Sequence, residues 1–132
     1  MNKIKIAVFC NVKYGIKDTW EKVQNYLNNI EILECNRIES INQADLVIAE
    51  TVYMAVREND PFLVKQLPAI SCKCNEKNIP FAIITPEGEM ECPSNFIPSQ
   101  ASKYIFHDSE LTSRDHNEKM ADLVSTICSK ML

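Results

Sequence analysis

Three kinds of residue in this 132-residue chain could do chemistry: six cysteines, two histidines, and carboxylates that close or follow apolar runs. Zinc is held by paired Cys/His clusters, and here one Cys72-x-Cys74 stands without a second pair, while His107 and His116 are isolated. No metal site is predicted. Cys10 and Cys35 fall in strand-like runs and Cys128 on the apolar side of a helix, where a free thiol behaves as a small hydrophobe; Cys72, Cys74 and Cys92 read as more exposed. A nucleophilic Cys10 would need a base that no neighbouring residue supplies. Glu50 ends the run ADLVIAE, and Glu58 and Asp60 lie in the next connection. Carboxylates at such places can give or take protons. The plainer reading of Glu58 and Asp60 is that they favour a helix start through its dipole.

Binding chemistry is suggested by three loops. Only Gly15 and Gly88 occur, which excludes the G-x-G-x-x-G dinucleotide fingerprint and the Walker A loop, since each needs several glycines. Gly15 comes after the first apolar run and Gly88 after the fourth; each either approaches a ligand or makes a turn with positive φ. After the third run, Thr51, Val52, Tyr53 and Met54 offer an aromatic face and a thioether, which either pack beneath the following helix or meet a ligand.

The elements that must position these residues alternate. Strands are predicted at 3–9, 30–35, 45–49, 80–84 and 103–107, three of them apolar enough to be covered on both faces. Asp18 with Glu21 reads as a capping box, leading into a helical face of Trp20, Val23, Leu27 and Ile30. RIESINQA leaves room for two helical turns at most. Asp60-Pro61 marks a helix start, and Pro68 should divide that helical stretch into two pieces before Asn78. The Pro-rich stretch 86–102 is expected to be irregular, and Met120, Leu123, Val124, Ile127 and Met131 form the face of a last helix. Strands separated by helices imply a parallel sheet with right-handed crossovers. The prediction is one α/β domain over residues 1–132, a doubly wound five-stranded sheet of order 2-1-3-4-5. Its ligand edge lies at the carboxyl ends of strands 1 and 3.

IAVFCNVKYGIKDTWEKVQNYL resembles the first strand, phosphate loop and first helix of flavodoxins. ADLVIAETVYMA is similar to their third strand and the loop beyond it, and IPFAIITPEG to the fourth strand and its loop. The resemblance implies an FMN-binding electron carrier, a flavoprotein with a redox partner protein. Asn11, Lys13, Tyr14, Gly15, Ile16 and Lys17 would hold the phosphate. Thr51, Val52, Tyr53, Met54, Thr85, Pro86 and Gly88 would flank the ring. The phosphate stretch lacks the family's hydroxyl residues before Thr19, so the flavin site reads as degenerate.

INQADLVIAE with its acidic loop is also similar to the nucleoside 2-deoxyribosyltransferases. That resemblance implies N-glycosidic chemistry with Glu50 and Glu58 as the carboxylates. A non-catalytic interaction domain of the same fold is the third reading. A phospho-accepting receiver is excluded because Cys10-Asn11 cannot supply the paired acids that hold Mg²⁺. Net charge is −4 with Lys and Arg scattered, so nucleic acid is not an expected partner. No apolar stretch reaches the length of a membrane span, and MNKIKIAVFC reads straight into a strand. The chain is thus expected to be soluble and cytoplasmic, with a flavin or another nucleotide-like molecule as its small-molecule partner.

Overall fold

Apolar runs covered on both faces become the strands of a parallel sheet. The computed structural model describes residues 3–10, 19–35, 37–51, 62–107 and 113–132. Within them β1 (Ile4–Cys10), β2 (Ile30–Glu34), β3 (Leu46–Glu50), β4 (Phe81–Pro86) and β5 (Ser102–Phe106) form one sheet of order β2-β1-β3-β4-β5, every pair parallel. This is the doubly wound α/β, flavodoxin-like architecture expected from the pattern. The strand positions agree to within about one or two residues, as helix and strand ends generally do.

The sheet divides the core in two, because successive side chains of a strand point to opposite faces. Ile6, Val8, Leu46, Ile48, Ala82 and Ile84 pack on one side with Trp20 and Val23 of α1 (Thr19–Gln24) and with Met120, Val124 and Ile127 of the last helix. That helix is α3 (Ser113–Met131), and its predicted apolar face is the one that packs, with Leu123 and Met131 partly buried at its margin. Ala7, Phe9, Val47, Ala49, Phe81 and Ile83 face the other way. There they meet Leu67, Ile70 and Cys74 of α2 (Leu67–Lys77) and Ile41 of a two-turn 3-10 helix (Ile38–Gln43).

Several local expectations are corrected. The predicted face of the first helix runs too long: α1 stops at Gln24, and Ile30 belongs to β2. Leu27 and Ile30 are buried in the same core as Trp20 and Val23, so hydrophobic spacing continues after the helix has ended. Gln24 enforces the change. Its side-chain amide donates to the Ile30 carbonyl at 2.8 Å and its Oε1 accepts the Ile32 N–H at 2.7 Å, clamping the helix end to the start of β2. Cys74 and Cys92, expected to be exposed, are buried, while Cys72 is exposed. Alternate residues on α2 explain the split of the Cys-x-Cys pair, since positions two apart on a helix face different ways.

The two helical pieces before Asn78 are present. A π-type turn (Phe62–Gln66) leads directly into α2, and Pro68 lies in the first turn of α2, next to the change from π-type to α-helical bonding. Asn78 ends α2 in the left-handed region (φ 56°), a conformation Asn tolerates better than most residues. The amino edge of β3 is pinned to β1: the Lys5 N–H donates to Asp45 Oδ2 and the Asp45 N–H to the Lys5 carbonyl, both at 2.8 Å. This double tie sets the register that brings the ends of β1 and β3 level.

Candidate functional site at the carboxyl edge

In an open sheet of this order the crossovers reverse direction between β1 and β3, and ligands settle outside the carboxyl ends of those strands. The register places Cys10, the last residue of β1, opposite Glu50, the last of β3; Glu50 in turn faces Ile84 of β4. Alternation puts Cys10 and Glu50 on the α1/α3 side of the sheet, continuing the columns of Val8 and Ile48. Glu34, at the end of β2, belongs to the same face.

Burial pushes the Glu50 carboxyl up to about 7 from an ordinary 4.5, because its charged form loses water. The Cys10 thiol rises to about 11, first through burial and then through the charges of Glu50 and Glu34. At neutral pH Cys10 is therefore a thiol and a poor nucleophile, whereas Glu50 is poised to give or take a proton. Thr51 comes directly after Glu50. Its N–H donates to the Ile84 carbonyl at 3.1 Å, but its fully buried hydroxyl has no hydrogen-bond partner among the described residues. A buried, unpaired hydroxyl costs about 1–3 kcal/mol, which a polar ligand atom reaching it would offset. The buried indole N–H of Trp20 is likewise unpartnered. In the sequence Trp20 carries no polar signal, because its spacing marks it only as core.

The end of β4 is built differently. Thr85 is fully buried, and its Oγ1 accepts the Cys92 N–H at 2.7 Å. Its side chain lies on the α2 side and fastens the following segment to the sheet, away from the face that carries Glu50. Pro86 closes the strand in register with Phe106. Gly88 has φ +87° with open space where a Cβ would stand, so it serves a turn and not a close approach. Lys103 binds Glu91 at 2.8 Å and Ser94 at 3.1 Å, completing the anchorage of 87–94. At the end of β5, His107 Nδ1 pairs with Glu87 Oε2 at 2.7 Å, beside a cleft of about 330 Å³ lined by Phe106, Lys119 and Asp122 among others.

Of the predicted site, Glu50 lies in register with Cys10 at the β1/β3 edge, Thr51 follows it with its side chain alternating to the α2 face, and Thr85, Pro86 and Gly88 form the structural end of β4. Asn11, Lys13, Tyr14, Gly15, Ile16, Lys17, Val52, Tyr53, Met54 and Glu58 lie outside the described residues, as do the capping Asp18 and the Asp60-Pro61 helix start. Among the described residues no group of three or more His, Cys, Asp or Glu side chains is arranged to hold a metal ion, and no helix is long and apolar enough to cross a membrane. No protein-family model matches the chain, and no curated protein matches it.

Proposed function

We propose that the domain binds a flat, nucleotide-like ligand, FMN in the leading form, at the β1/β3 switch point and carries electrons through it. The observation that carries this reading is the strand order, whose reversal between β1 and β3 coincides with an edge holding a poised carboxyl and an unsatisfied hydroxyl. The isoalloxazine ring would lie over that edge, and the stretch after β1 would meet the phosphate. The protein supplies orientation and electrostatics; the bound flavin would supply the redox chemistry. A redox partner protein and a cytoplasmic setting belong to this reading. Titration with FMN tests it. Quenching of flavin fluorescence should report binding tighter than about 10 µM, roughly −7 kcal/mol. A flat titration up to about millimolar FMN would remove the carrier and leave an interaction domain.

A second reading has one observation in its favour: a carboxyl poised near 7 suits the general acid of N-glycosidic cleavage. In that case the protein releases base from deoxynucleosides or their monophosphates, and Glu50→Gln abolishes the release. No release by the unmodified protein across such a panel would dismiss the enzyme.

A further inference from the structure

Two clefts open side by side along α2 and the turn that precedes β5. The smaller, about 310 Å³, lies at the amino edge of β4, where Asn75, Asn78 and Phe81 line it. The larger, about 400 Å³, runs past Cys72, Asn95 and Phe96. Ser71 and Gln100 line both, and the buried Ser71 hydroxyl donates to Gln100 Oε1 at 3.2 Å across the boundary. The two clefts are therefore halves of one groove with a polar waist, each at the lower end of the size range of small-molecule sites. Its walls are fixed. Ser71 sits in α2, while on the far side the Phe96, Ile97 and Ala101 N–H groups donate to the Pro93, Ser94 and Pro98 carbonyls, and Ile97 packs on the core. Although 24% of the chain is charged, no Asp, Glu, Lys, Arg or His lines either cleft. The polar side chains there are the amides of Asn75, Asn78, Asn95 and Gln100 and the hydroxyls of Ser71 and Ser99. An amide offers donor and acceptor together without charge, and with its oxygen taken by Ser71 the Gln100 side chain leaves its NH₂ for a ligand. Phe96, 42% exposed, adds an aromatic face beside these groups.

We propose that this groove binds an uncharged saccharide, one ring in each cleft, at a site separate from the β1/β3 edge. Sugar hydroxyls donate and accept at the same atom, which is the pairing that side-chain amides meet from both ends. The C–H face of a ring lies on Phe96, as apolar surface does on an aromatic. A charged ligand would lose water there and find no counter-ion in the lining. An extended peptide fits less well. It draws affinity from an open row of backbone N–H and C=O groups, whereas one wall here is a helix and the other spends its N–H groups within residues 93–101.

Maltose, cellobiose and lactose are the probes, each titrated to about 50 mM while backbone amide NMR shifts are followed. At least one should move Ser71, Asn75, Phe96 and Gln100 together, with a Kd of about 5 mM or tighter. Because no charge lines the groove, that affinity should be equal at about 0.05 M and about 0.5 M NaCl. The bound sugar should also slow alkylation of the exposed Cys72 several-fold. N75A and F96A truncate exposed side chains, so each should stay folded and weaken binding about fivefold or more. No response to any of the three sugars, or shifts centred away from these residues, would overturn the proposal. So would affinity that falls with salt, or binding unchanged in both folded variants. A response to a capped, uncharged tripeptide with none to the sugars would overturn it too, and would give the groove to a peptide. The outcome is independent of whether FMN binds at the other edge.

Discussion

β3 and β4 run side by side, each ends near a buried threonine, and the two ends are built to opposite rules. At the end of β4 the polar side chains are tied down: Thr85 takes the Cys92 N–H and Lys103 holds Glu91 and Ser94, while Gly88 supplies the positive φ that turns the chain. At the end of β3 neither the Thr51 hydroxyl nor the Glu50 carboxyl has a polar partner among the described residues. A fold tolerates such an uncompensated pair at a strand end when something other than stability keeps it there. The contrast separates, within one sheet edge, the threonine that holds the structure from the one whose hydroxyl is left unused among the described residues.

The largest effect expected from this contrast belongs to Glu50. A carboxyl whose folded value stands near 7 and whose ordinary value is 4.5 holds more protons in the folded chain than in the unfolded one across that window. Its contribution favours the folded state at low pH and is lost as pH rises from about 4.5 to about 7, up to about 3 kcal/mol in all. Glu50→Gln should cancel that slope and leave the protein more stable than the unmodified chain at about pH 8 in urea unfolding. Equal pH profiles for the two proteins would mean that Glu50 is solvated and the contrast is false.

Next come the two threonines. Thr85→Val orphans the buried Cys92 N–H and should cost about 1–3 kcal/mol, visible as a melting temperature lower by several degrees. Thr51→Val removes a hydroxyl with no partner among the described residues, so its stability should rise, by up to about 1–3 kcal/mol. If both variants lose the same stability, the ends of β3 and β4 are not built to different rules. Gly88→Ala should cost about 1 kcal/mol through backbone conformation alone, since a Cβ there meets open space. A loss several times larger would show a contact at Gly88 and return it to the candidate site. The smallest effect is chemical. Among the cysteines, exposed Cys72 should be alkylated first, and Cys74, its thiol pushed up to about 12 by burial, far more slowly. Mass spectrometry of a brief alkylation resolves the order, and early labelling of Cys92 would show that the 87–94 anchorage opens.

The sheet was legible because VIA- and FAII-type runs between turn residues have one economical arrangement, and the order 2-1-3-4-5 comes from their alternation with helices. Glu50 was legible too, as the first charge after an apolar run. Its poised state was not, since that arises from Cys10 and Ile84 arriving in register from strands distant in sequence. Leu27 and Ile30 misled because core-facing spacing persists through the turn that ends α1, and only the Gln24 clamp marks the helix end. Cys92 misled for a related reason. Between Pro86 and Pro98 the sequence reads as solvated loop, yet one hydrogen bond to Thr85 draws that thiol fully inside.

The central claim, a ligand seated on the β1/β3 edge, is tested most directly by mapping where FMN touches the protein, through backbone amide NMR shifts during a titration. The largest shifts should fall at Cys10, Glu50 and Thr51. Little change is expected at the opposite edge, where Asn78, Ile79 and Phe81 line a separate cleft of about 310 Å³. Shifts centred on that amino-edge cleft, or an unchanged spectrum at about millimolar FMN, would contradict it.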